Sequence, residues 1–247
     1  MKTAWPFPRV VAHRGGGSLG PENTLAAMQC GLTYGFRAVE FDVMLSQDGV
    51  PILMHDEQFG RTVAGTGAVS TTNASVLTSM DAGRWFGPAF AGEQIPTYRQ
   101  VIEFCQRHRI WMNVEIKPAR GVEQATGTVV AALTLATLDA DQPIPLLSSF
   151  SFEALMAAKL VAPGIPRGLL VEHLPADWKV QLLELDAVSL HVDQTHLMAT
   201  DAAAVKDAGF GLFCYTVNTA GRARELLDWG VDGFCTDRID LIGPGFA

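Results

Sequence analysis

The sequence has few cysteines, no long apolar run and no evident targeting segment, and each absence narrows the class of protein. Its 247 residues include four cysteines without a C-x-x-C pair, so we expect buried free thiols, as in a reducing compartment. No stretch approaches the roughly 20 apolar residues that span a bilayer, and the N-terminus lacks the apolar core of a signal peptide. The sequence therefore predicts a cytoplasmic protein without membrane insertion. The cysteines are Cys30, Cys105, Cys214 and Cys235.

Positive charge is also scarce. Lys and Arg together number 18 against 26 Asp and Glu, which gives a formal net charge of −8 at pH 7. Such a surface has no general attraction for nucleic acid or for an anionic membrane, so we expect neither as a partner. An anionic small-molecule substrate would need local positive charge at its site, supplied by Arg, Lys or a metal ion.

Short β-branched segments alternate with helical patterns along the whole chain. In the segment after the first strand, for example, Leu25, Met28 and Leu32 share one helical face. Eight β-then-α units in about 250 residues predict a (β/α)8 TIM barrel, an α/β fold. A doubly wound open sheet is the alternative, but the G-x-G-x-x-G spacing that favours it is absent after the first strand. The strand candidates are residues 9–13, 38–43, 111–117, 145–150, 167–171, 187–191, 211–217 and 232–236.

Residues 56–97 interrupt this alternation. The segment is rich in Gly, Thr, Ser and Ala, shows weak helical periodicity, and contains Trp85, Phe86 and Phe90. A loop this long inside a compact domain usually has a function or is disordered. We therefore predict a single catalytic domain over residues 1–247, in which residues 56–97 form a small cap inserted after the second strand. An apolar cap could also be a dimer surface, so the oligomeric state stays open.

Two predicted strands carry charged residues at alternate positions. In AVEFDV, Glu40 and Asp42 share one face of the strand, and in NVEIK, Glu115 and Lys117 do the same. We expect all four to point into the barrel near the carboxyl ends of its strands, where barrel enzymes place their chemistry. Crowded carboxylates need a counter-charge, and oxygen ligands favour Mg²⁺ or Ca²⁺. The pattern predicts one divalent cation.

A hairpin is expected to bring a histidine to these carboxylates. Asp48-Gly49 lies between two apolar runs, which is a hairpin signal. Folding about that turn would place His55 opposite Asp42, although the register could differ by one or two residues. We therefore interpret His55 as a residue of the site rather than as a solvated loop histidine.

His13 and Arg14 face the same end of the barrel, in the segment VVAHRGG at the end of the first strand. Two histidines beside a divalent ion, together with Arg14 and Lys117, suit a phosphate ester. The cations would hold phosphate oxygens, and the histidines could act as base and acid near neutral pH. Among the other histidines, His191 could line the mouth of the barrel, whereas surface or solvated positions are expected for His108, His173 and His196.

Several motifs resemble those of the glycerophosphodiester phosphodiesterase family. They are HRGGGSLGPENT, EFDV…DGVPILMHD…RT, NVEIK and GVDGFCTDRID, with DAGRWF…GEQIP and CYTVN between them. The similarity runs essentially end to end and is greatest to the small cytoplasmic bacterial members. It implies a (β/α)8 barrel that hydrolyses glycerophosphodiesters, such as glycerophosphocholine and glycerophosphoethanolamine, to sn-glycerol 3-phosphate and an alcohol. It also implies a divalent cation, Mg²⁺ or Ca²⁺ depending on the member.

Carried over motif by motif, the resemblance makes His13 and His55 the catalytic histidines and Arg14 and Lys117 the phosphate-binding pair. Glu22 and Asn23, in P-E-N-T, would support the site, and Tyr215 stands where many members have Trp, which concerns glycerol or head-group fit. The resemblance leaves open which histidine is the base and whether water or the substrate 2-hydroxyl attacks first. The implied metal ligands are Glu40, Asp42 and Glu115.

Two other functions are considered for these residues. An aldolase-type barrel could use Lys117 as a Schiff-base amine, but it would need that lysine away from carboxylates, and Glu115 is predicted on the same face. A barrel that only binds a phosphate ligand would not need two histidines across a metal site. The preferred head group depends on Trp85, Phe86, Phe90 and other cap residues, whose positions the sequence does not place.

Overall fold

The fold is a closed barrel of parallel strands, seen in a computed structural model that describes residues 5–139 and 141–247. The strands of the described residues are β1 (Val10–Ala12), β2 (Ala38–Leu45), β3 (Pro51–Leu53), β4 (Trp111–Ile116), β5 (Leu146–Ser149), β6 (Arg167–Val171), β7 (Ser189–Asp193), β8 (Gly211–Tyr215) and β9 (Gly233–Thr236). β1 pairs in parallel with β9 and with β2, which closes the sheet. The TIM-barrel prediction is confirmed, and the open-sheet alternative is wrong.

Within the described residues, helices follow seven of the eight barrel strands and cover the outside of the barrel. They are α1 (Leu25–Thr33), α3 (Tyr98–Arg107), α4 (Glu123–Thr137), α5 (Phe152–Val161), α6 (Trp178–Leu185), α7 (Ala199–Asp207) and α8 (Ala220–Asp228), with the short α2 (Ala74–Leu77) outside this ring. The expectation of a helix after every strand is wrong at β9, because residues 237–247 form turns. None of the helices in the described ranges is long and apolar enough to cross a membrane.

The alternating faces of the strands produce two separate apolar layers. Val39, Phe41 and Val43 of β2 face outward and belong to the large core cluster between the barrel and its helices. Inside the barrel, a smaller apolar cluster fills the end where the strands begin. The charged residues at alternate positions are thereby left to the inner face at the opposite, carboxyl end. Buried members of the inner cluster are Val11, Ala38, Trp111, Leu146, Phe213 and Cys235.

β2 and β3 form the expected antiparallel hairpin. Val43 pairs with Leu53, one residue away from the register that would place His55 opposite Asp42. The strand pairing ends at Leu53, so His55 lies just beyond β3 rather than within it. The predicted register was wrong by one residue, which is within the stated range of one or two. The reason is that an Asp-Gly pair indicates a hairpin but does not set the number of residues in its loop.

Residues 56–97 contain α2 and short 3-10 turns, and members such as Val63 and Ile95 share an apolar cluster with Met44 and Ile52 of the β2–β3 hairpin. Two contacts attach the segment to the loop after β1 and to the first turn of α1. Arg61 forms an ion pair with Glu22, and a Glu93 oxygen accepts a hydrogen bond from the backbone N–H of Ala26. The segment is therefore packed beside the loop that follows the first strand.

Candidate active site

A polar cavity, with a volume of about 160 Å³, opens at the carboxyl ends of the barrel strands. Asp42 is 1% exposed and lies behind the cavity wall, hydrogen-bonded to Lys117. A larger cavity of about 440 Å³ at the amino ends of the strands is lined by apolar residues such as Trp5, Phe7 and Trp111, which offer nothing for acid–base chemistry. The other predicted site residues all line the polar cavity: His13, Arg14, Glu40, His55, Glu115 and Lys117.

The predicted cation ligands form a buried cluster. Carboxylate oxygens of Glu40, Asp42 and Glu115 lie within 4.8 Å of one another, since Asp42 and Glu115 are register partners on adjacent strands. Burial is the main cause that raises the pKa of Glu40 to about 7. Burial, with the charge of Asp42, also raises the pKa of Glu115 well above its usual value. The raised pKa values show that the negative charge of Glu40 and Glu115 is poorly compensated by the side chains around them. A crowded set of carboxylate oxygens of this kind fits a hard divalent cation such as Mg²⁺ or Ca²⁺.

Two cationic side chains face Asp42. Lys117 Nζ lies 3.3 Å from Asp42 Oδ1, and Arg14 Nε lies 3.5 Å from Oδ2. Burial opposes ionisation of Asp42, but these charges outweigh it and hold its pKa far below the usual value. Asn23 Nδ2 donates to Oδ2 at 2.8 Å, and Lys117 also lies 3.8 Å from a Glu115 oxygen. The cations and the carboxylates thus form one connected network.

The loop after β1 is shaped by backbone in the left-handed region. Arg14 has φ 49°, an uncommon conformation for a residue with a side chain, and its N–H donates to Glu40 Oε2 at 3.1 Å. Its guanidinium also pairs with Glu22 at 2.8 Å. Gly17 has φ 54°, and a Cβ there would lie 2.3 Å from the carbonyl oxygen of Asp237. The glycines after His13 therefore let this loop approach β9 closely.

His13 is held by an aspartate that the sequence analysis did not single out. Its Nδ1 lies 2.6 Å from Asp237 Oδ1, and its Nε2 lies 3.7 Å from Glu40 Oε2. Burial lowers the pKa of His13, but the hydrogen bond to Asp237 and the charge of Glu40 leave it above the usual value. Asp237 directly follows β9, and barrel closure sets β9 beside β1. The signal was present in CTDRID, because a residue just after the last strand must lie near the end of the first.

His55, which also lines the cavity, has a similar arrangement. Its Nδ1 lies 2.7 Å from Asp56 Oδ1, and Asp56 in turn pairs with Arg61 at 2.6 Å. Burial lowers the pKa of His55; the charge of Asp42 offsets this in part, and the pKa stays below the usual value. The adjacent H-D pair in the sequence was a signal for Asp56, whereas the Arg61 contact depends on the fold of residues 56–97.

The remaining histidines divide into one inside the barrel and three outside. His191 is 1% exposed and lines the polar cavity, which is deeper than the mouth position considered from sequence. His173 and His196 are exposed, with ring centroids 3.8 Å apart. His108 is half-buried against Phe104. The sequence-based separation of His191 from the other three is consistent with these positions.

The cavity has aromatic walls near its opening. Tyr215 lines it and donates from its hydroxyl to the carbonyl oxygen of Val171 at 2.9 Å. Phe150 packs edge-to-face on Tyr215, with ring centroids 5.8 Å apart. The aromatic residues of the 56–97 segment, Trp85 and its neighbours, are not among the residues that line this cavity. This aromatic wall is thus formed by Phe150, directly after β5, and by Tyr215 of β8.

Comparisons with known proteins agree with this geometry. Residues 13–241 match the model of the glycerophosphoryl diester phosphodiesterase family. A glycerophosphodiester phosphodiesterase of Caldanaerobacter subterraneus is 32% identical, over 96% of this chain and 98% of that protein. One of Bacillus subtilis is 28% identical, over 94% of this chain and 84% of that protein.

Solved structures support the same assignment. A phosphodiesterase of Oleispira antarctica, determined in complex with its product sn-glycerol 3-phosphate, is 36% identical and superposes with a TM-score of 0.89. The match covers 93% of each chain. The barrel, the buried carboxylates and the family match lead to one conclusion: the chain is an enzyme of the glycerophosphoryl diester phosphodiesterase family.

Proposed function

We propose that this enzyme hydrolyses glycerophosphodiesters, such as glycerophosphocholine and glycerophosphoethanolamine, to sn-glycerol 3-phosphate and a free alcohol. The proposal is carried by one observation: a cluster of carboxylate oxygens able to bind a cation, two cationic side chains and two carboxylate-bonded histidines meet at one small cavity. The Oleispira antarctica phosphodiesterase, which binds sn-glycerol 3-phosphate, supports the choice of product.

In this proposal Glu40, Asp42 and Glu115 hold one divalent cation, either Mg²⁺ or Ca²⁺. When bound, such an ion neutralises phosphate charge and acts as a Lewis acid. Arg14 and Lys117 bind the remaining phosphate oxygens, since both extend from the network toward the cavity. Arginine suits this role because its planar donors match two phosphate oxygens at once.

His13 and His55 act as the acid–base pair. One histidine removes the proton from the nucleophile, which is water or the substrate 2-hydroxyl, and a new P–O bond forms. The other gives a proton to the leaving alcohol oxygen as its P–O bond breaks. Attack by the 2-hydroxyl gives a cyclic phosphate, which water then opens. Asp237 and Asp56 fix the orientation of the two rings through their Nδ1 atoms.

The two other candidate functions lack support at this site. Lys117 Nζ lies within 4 Å of carboxylate oxygens of both Asp42 and Glu115, rather than in the apolar surroundings that favour an imine-forming lysine. A barrel that only binds a phosphate ligand has no use for two histidines, each bonded to its own aspartate.

The acid–base proposal is tested with His13→Ala and His55→Ala, assayed by release of sn-glycerol 3-phosphate from glycerophosphocholine. Each variant should lose at least about 100-fold in kcat, the usual scale of general acid–base catalysis. His108→Ala is the matched control, because this histidine lies outside the cavity against Phe104, and it should retain kcat within about twofold. Near-wild-type kcat in either cavity variant would exclude that histidine from the role.

We propose further that residues 1–247 form one catalytic domain and that residues 56–97 serve as its cap. Arg61 supports this because it bridges Glu22 of the first loop and Asp56 beside His55. Arg61→Met should lower kcat/KM about tenfold, since two charge-assisted contacts are lost. Arg84→Met, which removes an exposed pair within the same segment, should change it less than twofold. Equal effects of the two substitutions would count against the cap.

A cytoplasmic location is proposed from the thiols. All four cysteines are free, and Cys105, Cys214 and Cys235 are buried, as is usual for proteins of a reducing compartment. Cell fractionation tests this location directly. Recovery of the protein outside the cytoplasm would contradict it.

A further inference from the structure

The middle of the barrel interior is unusually small and polar. The inner layers of such barrels are normally filled by bulky branched side chains. Here Gly168 is an inner position of β6, and a Cβ there would lie 2.5 Å from His191 Nε2 and 2.9 Å from Ser189 Oγ. Polar inner positions extend over neighbouring strands and comprise Asn113 of β4, Ser148 of β5, and Ser189 and His191 of β7.

Two of these residues lie next to the proposed cation ligands. Asn113 is the register partner of Glu40, and Ser148 is the register partner of Glu115. Each is therefore about one strand spacing, roughly 4.8 Å, from a carboxylate-bearing residue. His191 lines the same cavity as Glu40 and Glu115. The polar layer and the carboxylates thus share one enclosed space.

Three atoms of this layer have no hydrogen-bond partner within the described part of the chain. They are Asn113 Oδ1, Ser148 Oγ and His191 Nδ1, on side chains that are 2%, 0% and 1% exposed, respectively. Buried polar groups nearly always find a partner, and leaving one without a partner costs about 1–3 kcal/mol. Three such groups around one cavity indicate that something polar from outside the chain bonds to them.

Water fits the chemistry of these three atoms. Asn113 Oδ1 accepts only, Ser148 Oγ can donate and accept, and the other ring nitrogen of His191 is engaged with Ser189 Oγ at 3.0 Å. A buried water molecule makes about 2–4 hydrogen bonds and occupies about 30 Å³. The cavity of about 160 Å³ has room for several such molecules, and Phe213 lines its deeper part.

We propose that Asn113, Ser148 and His191 hold a buried water cluster that hydrogen-bonds to Glu40 and Glu115, which makes these three positioning residues for the carboxylates. This rests on the proposed cation-binding role of those carboxylates. Groups that hydrogen-bond to metal ligands and orient them typically raise the metal affinity by about 10- to 100-fold. The cluster acts on the direction of the carboxylate oxygens.

The test compares cation affinity in the full chain, measured by titration calorimetry with Mg²⁺ and with Ca²⁺. Ser148→Ala removes only a hydroxyl, and Asn113→Leu replaces the amide by an apolar group of similar size. We expect the double variant to bind cation about 10- to 100-fold more weakly than wild type, with an intermediate loss for Ser148→Ala. Thr134→Val is the control, because it removes a buried hydroxyl bonded to Tyr98 outside the barrel interior, and it should leave the affinity unchanged.

Thermal melting of the cation-free proteins provides a second readout. A polar layer without water would become more stable when its unsatisfied groups are replaced by apolar ones. If the double variant binds cation within twofold of wild type and melts at an equal or higher temperature, the water-cluster inference is wrong, whereas the proposed cation site still stands. A wild-type protein that binds neither cation would overturn the proposed cation site, and the inference with it.

Discussion

Asp237→Asn is the substitution that most sharply tests how His13 is held. The Asp237 carboxylate takes part in two side-chain hydrogen bonds. One of its oxygens lies 2.6 Å from His13 Nδ1, and the other accepts from Asn218 Nδ2 at 2.9 Å. A carboxylate can accept both, whereas an asparagine side chain has one acceptor oxygen and one donor amide. If the oxygen stays with Asn218, the amide faces His13 and favours the wrong ring tautomer. The substitution therefore keeps the shape of the site but changes which nitrogen of the His13 ring carries the proton.

The expected magnitude follows from the contact. A hydrogen bond to a charged group contributes about 1.5–3 kcal/mol, which corresponds to roughly a 10- to 150-fold decrease in kcat at 1.36 kcal/mol per factor of ten. The Asp237 side chain is 33% exposed, so solvent screening favours the lower half of that range. KM should stay within about twofold, because Asp237 contacts His13 and the substitution leaves Arg14 and Lys117, the proposed phosphate-binding pair, in place.

The assay is release of sn-glycerol 3-phosphate from glycerophosphocholine at saturating cation. Asp240→Asn is the matched control: it makes the same change three positions along the chain, where Asp240 forms an exposed pair with Arg238. The control should keep kcat within twofold. If Asp237→Asn also keeps kcat within twofold while its melting temperature is unchanged, the orientation of His13 by Asp237 does not matter for catalysis.

Three further predictions concern packing and pH. Gly127→Ala should lower the free energy of unfolding by about 1–3 kcal/mol, because a Cβ there would lie 2.1 Å from a carbonyl oxygen of α5. Gly221→Ala, whose Cβ would meet open space in α8, should raise it by about 0.5–1 kcal/mol. The reverse order of the two stabilities in chemical denaturation would contradict this packing. Gly17→Ala should lower kcat, since the new Cβ pushes the loop from Asp237, and an unchanged kcat would contradict that contact. Burial lowers the pKa of His191 to about 3, so the unfolded chain takes up its proton first as the pH falls below about 6.5. Compared with His191→Gln, wild type should therefore lose up to about 1.4 kcal/mol of unfolding free energy per pH unit between pH 6 and 4; equal slopes would mean that His191 is not kept neutral. The cavity carboxylates titrate in both proteins, so the difference isolates the histidine.

Local patterns were sufficient to predict the barrel. Alternation of β-branched runs with helical segments is a property of neighbouring residues, and Glu40 and Asp42 share a face because strand geometry has a period of two. The helix expected after β9 is missing because the prediction extended a repeat that residues 237–247 do not follow. The hairpin register was off by one because the loop around Asp48-Gly49 sets a different residue count.

The partners of the histidines were harder to predict, because they depend on contacts between distant parts of the chain. Asp237 is 224 residues away from His13 in sequence, and only closure of the barrel brings the two together. Arg61 reaches Glu22 through the fold of residues 56–97, which has no strong periodicity. The polar layer around His191 was equally hidden, since Asn113 and Ser148 look like ordinary strand residues until their register with the carboxylates is known.

The most direct test of the proposed function is the rate at which the cation-stripped protein releases sn-glycerol 3-phosphate from glycerophosphocholine, before and after Mg²⁺ or Ca²⁺ is added. The arrangement of Glu40, Asp42 and Glu115 predicts no measurable release without a divalent cation and full activity once either or both are restored. Release at the same rate in the stripped protein, or no release under any of these conditions, would contradict the proposed function.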